Sequence, residues 1–212
     1  ELQPGLRGGY ANTFLAKYGR KIGPDPASID SAMIGGIAAN NASGMCCGTS
    51  ENSYKTVADL KLIFADGTML DTASKESREA FRATHGQLLE GLEAISREIY
   101  ANPQLKERIE RKYKIKNTTG YSLNAFVDYR EAFDILKHVI IGSEGTLAFI
   151  ASITYNTVVE HKHKGLALAI YPTIKEACSA VQELQKLPVS AVELLDRAAM
   201  KSVENAQGVP EY

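Results

Sequence analysis

Between Val57 and Asp71 the chain alternates: Leu60, Leu62 and Phe64 are separated by Lys61 and Ile63, and Asp66-Gly67 precedes Thr68-Met69-Leu70. A period of two predicts a strand. Asp-Gly, whose glycine adopts positive φ at no steric cost, predicts a two-residue hairpin into a second strand. From Ser74 to about Lys114 the period changes. Leu88, Leu89, Leu92, Ile95 and Ile99 recur at spacings of three and four, an apolar stripe along one helix face. Pro103 breaks that helix and, after Asn102, opens another, because proline is tolerated in a first turn. A short helix around Ala132, Phe133 and Leu136 is expected within 130–141, and Thr146 to Val159 reads as a strand rich in β-branched residues. His161-Lys162-His163-Lys164-Gly165 is a polar linker and the expected boundary. Beyond it, Leu166 to Tyr171 and Ser190 to Leu195 read as strands. Between them lies a helix with Ile174, Ala177, Val181 and Leu184 on one face, and after them a helix ending at Gly208. The pattern predicts an α+β domain over 1–160 and the start of an α/β unit over 165–212.

Composition narrows the class. Of 212 residues, 44% are hydrophobic and 23% charged, enough apolar material for a packed core. Lys and Arg number 24 and Asp and Glu 25, a net charge of −1, which gives no broad attraction to nucleic acid or anionic lipid. No apolar run approaches the ~20 residues of a membrane span, and no signal peptide is recognisable. The expected setting is the cytoplasm. The chain opens at Glu1 without Met and stops at Tyr212, which reads as a piece of a longer protein.

Three segments place backbone where only small residues fit. Ile22-Gly23-Pro24-Asp25-Pro26-Ala27-Ser28 is stiffened by two prolines and reads first as a rigid surface turn. Ile34-Gly35-Gly36-Ile37-Ala38-Ala39-Asn40-Asn41-Ala42-Ser43-Gly44 suits either close helix packing or a surface of backbone N–H groups for a phosphate or a flat ring. Gly142-Ser143-Glu144-Gly145-Thr146-Leu147 lacks the Gly-x-Ser-x-Gly spacing of a nucleophile elbow, so a turn presenting amides is favoured over a serine hydrolase built on Ser143.

Taken in order with Leu60 to Gly67 and Lys116-Asn117-Thr118-Thr119-Gly120-Tyr121, these segments resemble the FAD-linked oxidase family. This vanillyl-alcohol-oxidase type of flavoprotein includes dehydrogenases of D-lactate, glycolate and D-2-hydroxyglutarate. Asn40 to Gly48 is most similar to the large bacterial members that carry an iron–sulfur module. The resemblance implies an FAD-binding domain made of two subdomains. This chain would be the second, an antiparallel or mixed sheet flanked by helices, followed by the start of a substrate-binding cap. The Arg-Gly-Gly-Gly-Thr type loop of the first subdomain has no equivalent here. Carried over by motif, Pro24, Asp25 and Ser28 line the flavin cleft. Ile34, Gly35, Gly36, Ala39, Asn40, Asn41, Ala42 and Gly44 contact FAD. Gly142, Ser143, Glu144, Gly145, Thr146 and Ile150 lie on its nucleotide side. Met33 stands where Thr is usual, and Ala148 where Gly is usual. The implied reaction is oxidation of a small 2-hydroxy acid by hydride transfer to flavin, with catalytic and metal-ligating residues in the cap beyond Tyr212 and none in this chain. The alternative is an interaction module that keeps the fold without flavin. A chain lacking half its cleft is expected to dimerise or to show mobile loops near 40–55.

The remaining candidates read as structural. Cys46 and Cys47 are expected to be buried, as free cysteines commonly are, and Cys178 to sit in the core beside Ala177. His161 and His163 lack further ligands and read as solvated linker. Lys106, Arg108, Arg111, Lys112, Lys114 and Lys116, interleaved with Glu107 and Glu110, read as a solvated helix face, with Lys116 as the one position that could attract a carboxylate substrate.

Overall fold

The computed structural model describes residues 1–203 and Ala206. In chain order the elements are α1 (Gly8–Ala16), β1 (Arg20–Lys21), α2 (Ile34–Asn40), α3 (Ser53–Thr56), β2 (Val57–Ile63), β3 (Met69–Asp71), α4 (Lys75–Ala101) and α5 (Pro103–Lys112). They continue with α6 (Ala125–Asp128), α7 (Ala132–Ile140), β4 (Phe149–Tyr155), β5 (Val158–Val159), α8 (Ile174–Leu184) and α9 (Arg197–Val203). Helix and antiparallel sheet are mixed, as expected of an α+β chain. Two compact units divide between Lys162 and His163.

The first unit is built on a three-stranded antiparallel sheet, ordered β3-β2-β4. Leu62 lies opposite both Leu70 and Ile150, and Leu60 opposite Ile153, so the alternation read from β2 becomes one buried face. The helices α2, α4 and α7 pack on this sheet, and α4 packs on α7. Two register shifts interrupt the β2–β4 pairing, and at the first the Ala58 carbonyl accepts the Lys137 ammonium at 2.7 Å, tying α7 to the strand. The expected two-residue hairpin is a three-residue loop instead. Gly67 N–H donates to Phe64 and Phe64 N–H to Thr68, with Gly67 at φ 84° and the Asp66 carboxylate accepting the Thr68 N–H. Glycine is still required, but one place later in the turn geometry, where it forms the bulge of a type I hairpin. The strand expected over 146–159 is two short ones: β4 pairs with β2, whereas β5 pairs with β1. Leu2 extends β4 on its free side through paired bonds with Ile153.

Helix α4 starts where Ser74 accepts the Ser77 N–H and stops before Pro103, whose helix is capped by Asn102. Its buried stripe differs from the sequence reading. Phe81, Leu89, Ser96 and Ile99 are buried, while Leu88 and Ile95 are exposed. Ser96 is admitted because its hydroxyl donates to the Phe126 carbonyl at 2.8 Å, which satisfies a polar group on the packed face.

At the junction of α3, α6 and α7, the His138 ring stacks on Tyr129 with centroids 3.8 Å apart and meets Tyr54 edge-on at 4.9 Å. Nδ1 lies 2.7 Å from the Asp134 carbonyl and therefore carries the proton. Burial, aided by Lys137 and Lys55, outweighs that hydrogen bond and lowers His138 to a pKa of about 4.

The second unit contains α8, whose first turn is closed by a reciprocal Thr173–Glu176 capping box, and α9. The strands expected at 166–171 and 190–195 do not form among the described residues. Leu166, Leu168 and Ile170 are 99%, 68% and 69% exposed. A β pattern describes a surface awaiting a neighbour, and without a partner strand its ladder bonds cannot be made. Gly208, the expected end of the last helix, lies outside the described residues.

His138 makes stability depend on pH. The unfolded imidazole takes up a proton near 6.5 and the folded one only near 4, so stability is full above pH 6.5 and falls as the pH drops toward 4. The loss is expected to reach on the order of 2–3 kcal/mol. Urea midpoints across this window will show the slope, and His138→Phe will flatten it.

Candidate functional site

The helix α2 is only seven residues long, and its ends are held by other parts of the chain. At its start the Ile34 and Gly35 N–H groups donate to the Leu6 and Pro4 carbonyls at 2.8 and 2.9 Å. These two amides are therefore already engaged, and the open surface of α2 begins at Gly36. At its end Asn41 enters the left-handed region with φ 50°, and the Asn41 and Ala42 N–H groups fold back onto Ala38 and Ile37, a Schellman closure. The Ala38 and Ala39 carbonyls also accept the N–H groups of Gly142 and Glu144, at 3.1 and 2.9 Å.

That second set of bonds brings the third glycine-rich segment to the second. Gly142, Glu144 and Gly145 all have positive φ, so the turn at 142–145 presents its amides toward the end of α2. Asn40 Nδ2 donates to Glu144 Oε1 at 2.6 Å, and Thr146 Oγ1 donates back to the Ser143 carbonyl. Ser143 is 2% exposed and its hydroxyl has no partner among the described residues, hence no base there to activate it, which speaks against the hydrolase reading.

The first segment is joined through a carboxylate. Asp25 accepts the Cys46 and Cys47 N–H groups at 3.2 and 3.1 Å, clamping 44–47 onto the proline turn. Gly44 lies so close to Asp25 that a Cβ built there would overlap the Asp25 carbonyl. Its N–H donates to Cys47 Sγ at 3.1 Å, and burial pushes the Cys47 thiol up to about 11. Cys46 and Cys178 are exposed, contrary to expectation. Consecutive residues in a turn point different ways, and α8, which carries Cys178, has no buried residue among the described residues.

The three segments thus form one connected wall. Gly36 and Asn40, one helical turn apart, are exposed on it with Glu144, Gly145 and Thr146, and a Cβ on Gly36 or Gly145 would meet open space. Asp25, Ala39, Asn41, Ala42, Gly44 and Gly142 are half-buried in it, and Ser28 lies exposed past the proline turn. Pro24, Ile34, Ser143 and Ile150 are buried behind it, supporting the surface.

Beside this wall lies a cleft of which sequence reasoning singled out only the 116–121 segment and Lys116. Asn41 and Ser43 line it together with Tyr54, Lys55, Lys116, Asn117 and Asn124. Tyr54 anchors it: its N–H donates to Asn41 Oδ1 and its hydroxyl to Asp128 at 2.8 Å, and burial beside that carboxylate raises the phenol well above its ordinary range. Asn-rich loop composition was the available signal, but it carries no period. Among the described residues no three His, Cys, Asp or Glu side chains are placed to hold a metal ion.

Residues 1–73 match the FAD binding domain family and residues 160–211 match the C-terminal domain family of FAD linked oxidases. The chain is 25% identical over 209 residues to a mitochondrial D-lactate dehydrogenase [cytochrome] of Arabidopsis thaliana, covering 98% of this chain and 28% of that protein. It is 24% identical over 212 residues to D-lactate dehydrogenase [cytochrome] 1 of Saccharomyces cerevisiae, covering 97% of this chain and 26% of the relative. A D-2-hydroxyglutarate dehydrogenase of Haemophilus influenzae is 24% identical over 209 residues, 92% of this chain and 19% of that protein. The chain therefore spans 19–28% of the length of these relatives.

Two outcomes test the wall itself. Gly44→Ala will lower stability by about 2–4 kcal/mol in urea unfolding, because the added methyl displaces backbone rather than a flexible side chain. A maleimide will label Cys46 and Cys178 in the native chain and spare Cys47 until it is unfolded.

Proposed function

We propose, from the matches of residues 1–73 and 160–211 to the FAD binding domain and FAD linked oxidase C-terminal domain families, that the wall assembled from 24–28, 34–44 and 142–146 is one side of an FAD site. The whole protein would then be an FAD-dependent oxidoreductase of small 2-hydroxy acids. The carrying observation is the direct bonding of the end of α2 to the 142–145 turn, which makes one surface of segments a hundred residues apart. The fit to a flat, diphosphate-bearing cofactor rests on Gly36 and Gly145, where a Cβ would occupy open space against the wall.

Gly36, Ala39, Asn40, Asn41, Ala42, Gly145 and Thr146 would hold the group. A carboxylate repels phosphate and accepts from hydroxyls, so Glu144 suits the sugar portion. The flavin, when bound, supplies the hydride acceptor. The chain's own residues bind it, orient it and exclude water from one face, and no proton transfer is assigned to them. The substrate class follows the relatives' names, D-lactate and D-2-hydroxyglutarate dehydrogenases. Among the described residues no helix is long and apolar enough to cross a membrane.

Flavin absorbance on titration with FAD tests this reading. Gly36→Leu adds bulk at an exposed helical position and improves helix propensity by about 0.8 kcal/mol, so the fold will hold. FAD affinity will drop by roughly tenfold or more, about 1.4 kcal/mol. Equal binding by the variant and the parent chain would remove Gly36 from the site.

A further inference from the structure

The outer side of α1 is apolar where a surface helix is normally polar. Tyr10, Phe14 and Tyr18 recur at a spacing of four, from the helix into the turn that follows it, and stand 61%, 62% and 62% exposed. Gly8 and Ala11 are buried on the inner side, and Leu15 packs against the core. A helix that is apolar all round is ordinarily covered all round, so the outer side of α1 has the composition of a contact surface. The Phe14 and Tyr18 rings meet edge-on with centroids 6.2 Å apart. Rings this exposed on the convex side of a helix make a ridge, not a groove.

The charge along the ridge has one sign. Between Glu1 and Asp25 the chain carries Arg7, Lys17, Arg20 and Lys21 and no acidic side chain. Arg7 lies over the Tyr10 ring at 5.6 Å, and the Lys17 ammonium lies over Phe14 and Tyr18 at 4.5 and 4.9 Å. Arg20 is occupied by Thr157 and Lys21 by Glu160, and Asp30 lies against Gly9 at the start of the helix. Arg7 and Lys17 form no ion pair among the described residues, so theirs are the charges left for a partner. A docked peptide helix needs a groove, which a convex stripe lacks. A single strand of nucleic acid stacks its bases on open ring faces, and here Arg7 and Lys17 lie over those faces. An anionic bilayer asks only for what the ridge has: aromatic rings that settle at headgroup level, and cations whose heads reach lipid phosphate.

We propose that the α1 ridge, Tyr10, Phe14 and Tyr18 with Arg7 and Lys17, docks on the surface of an anionic phospholipid bilayer and rests at its interface without crossing it. The net charge of −1 does not oppose this, because attraction between a surface patch and charged lipid acts within a Debye length of about 8–10 Å. None of these residues belongs to the wall or the cleft, so the proposal stands apart from the flavin reading. Co-sedimentation of the full chain with vesicles tests it. The chain will pellet with phosphatidylcholine vesicles containing about 30% phosphatidylserine, at least tenfold more weakly without the anionic lipid, and about 0.5 M salt will release it. Phe14→Ser will weaken vesicle binding by roughly tenfold or more and Lys17→Gln by about fivefold, with urea midpoints near that of the parent chain because both positions are exposed. The chain has no tryptophan, so Phe14→Trp supplies a single reporter, whose emission will move to the blue when phosphatidylserine vesicles are added. Absence of pelleting with these vesicles at low salt would overturn the proposal. So would equal binding by a folded Phe14→Ser chain, or a tryptophan emission that vesicles leave unmoved. Dimerisation that Phe14→Ser abolishes, without vesicle binding, would assign the ridge to a second copy of the chain and end the proposal.

Discussion

A short helix must dispose of its last carbonyls, and in this protein that requirement organises the site. The helix α2 ends in a left-handed asparagine that turns two of its own amides back, and the remaining acceptor capacity of Ala38 and Ala39 is met by the 142–144 turn. Because these bonds need the turn amides to face the helix end, Gly142, Glu144 and Gly145 all adopt positive φ. Glu144 is the only one of the three with a side chain, and its carboxylate is held by Asn40. Backbone satisfaction and construction of the candidate site are here the same set of contacts.

The Asp25 clamp repeats that logic with a side chain. Two consecutive amides at 46–47 would otherwise compete for water, and one carboxylate takes both while the glycine at 44 allows the loop to press on the proline turn. Small residues are used in two physically different ways. Gly44 and Gly35 are small because backbone or Pro4 lies against them, whereas Gly36 and Gly145 are small with nothing among the described residues against them. Composition alone does not distinguish the two.

Much of the first unit was legible in the chain. The period-two alternation around Leu60 and Leu62 specified the buried sheet face, the Asn102-Pro103 pair specified the break between α4 and α5, and the glycine-rich segments named the wall. The stripe on α4 was legible only in part, since Ser96 replaces Ile95 on the packed face once a carbonyl is available for its hydroxyl. The second unit was legible in its α8 helix and not in its strands. A helix closes its hydrogen bonds within its own segment, while a strand depends on another stretch of chain.

By itself the sequence determined everything that depends on neighbours within a few residues: helix caps, the proline break, the positions where glycine tolerates positive φ, and which segments are too small to fill space. Tertiary structure alone decided which distant segments meet, and that Pro24, Ile34 and Ile150 lie behind the wall rather than on it. The division is physical. Local propensity is written in consecutive dihedral angles and side-chain volumes, whereas burial and hydrogen-bond satisfaction are properties of the packed chain and exist only after it closes on itself.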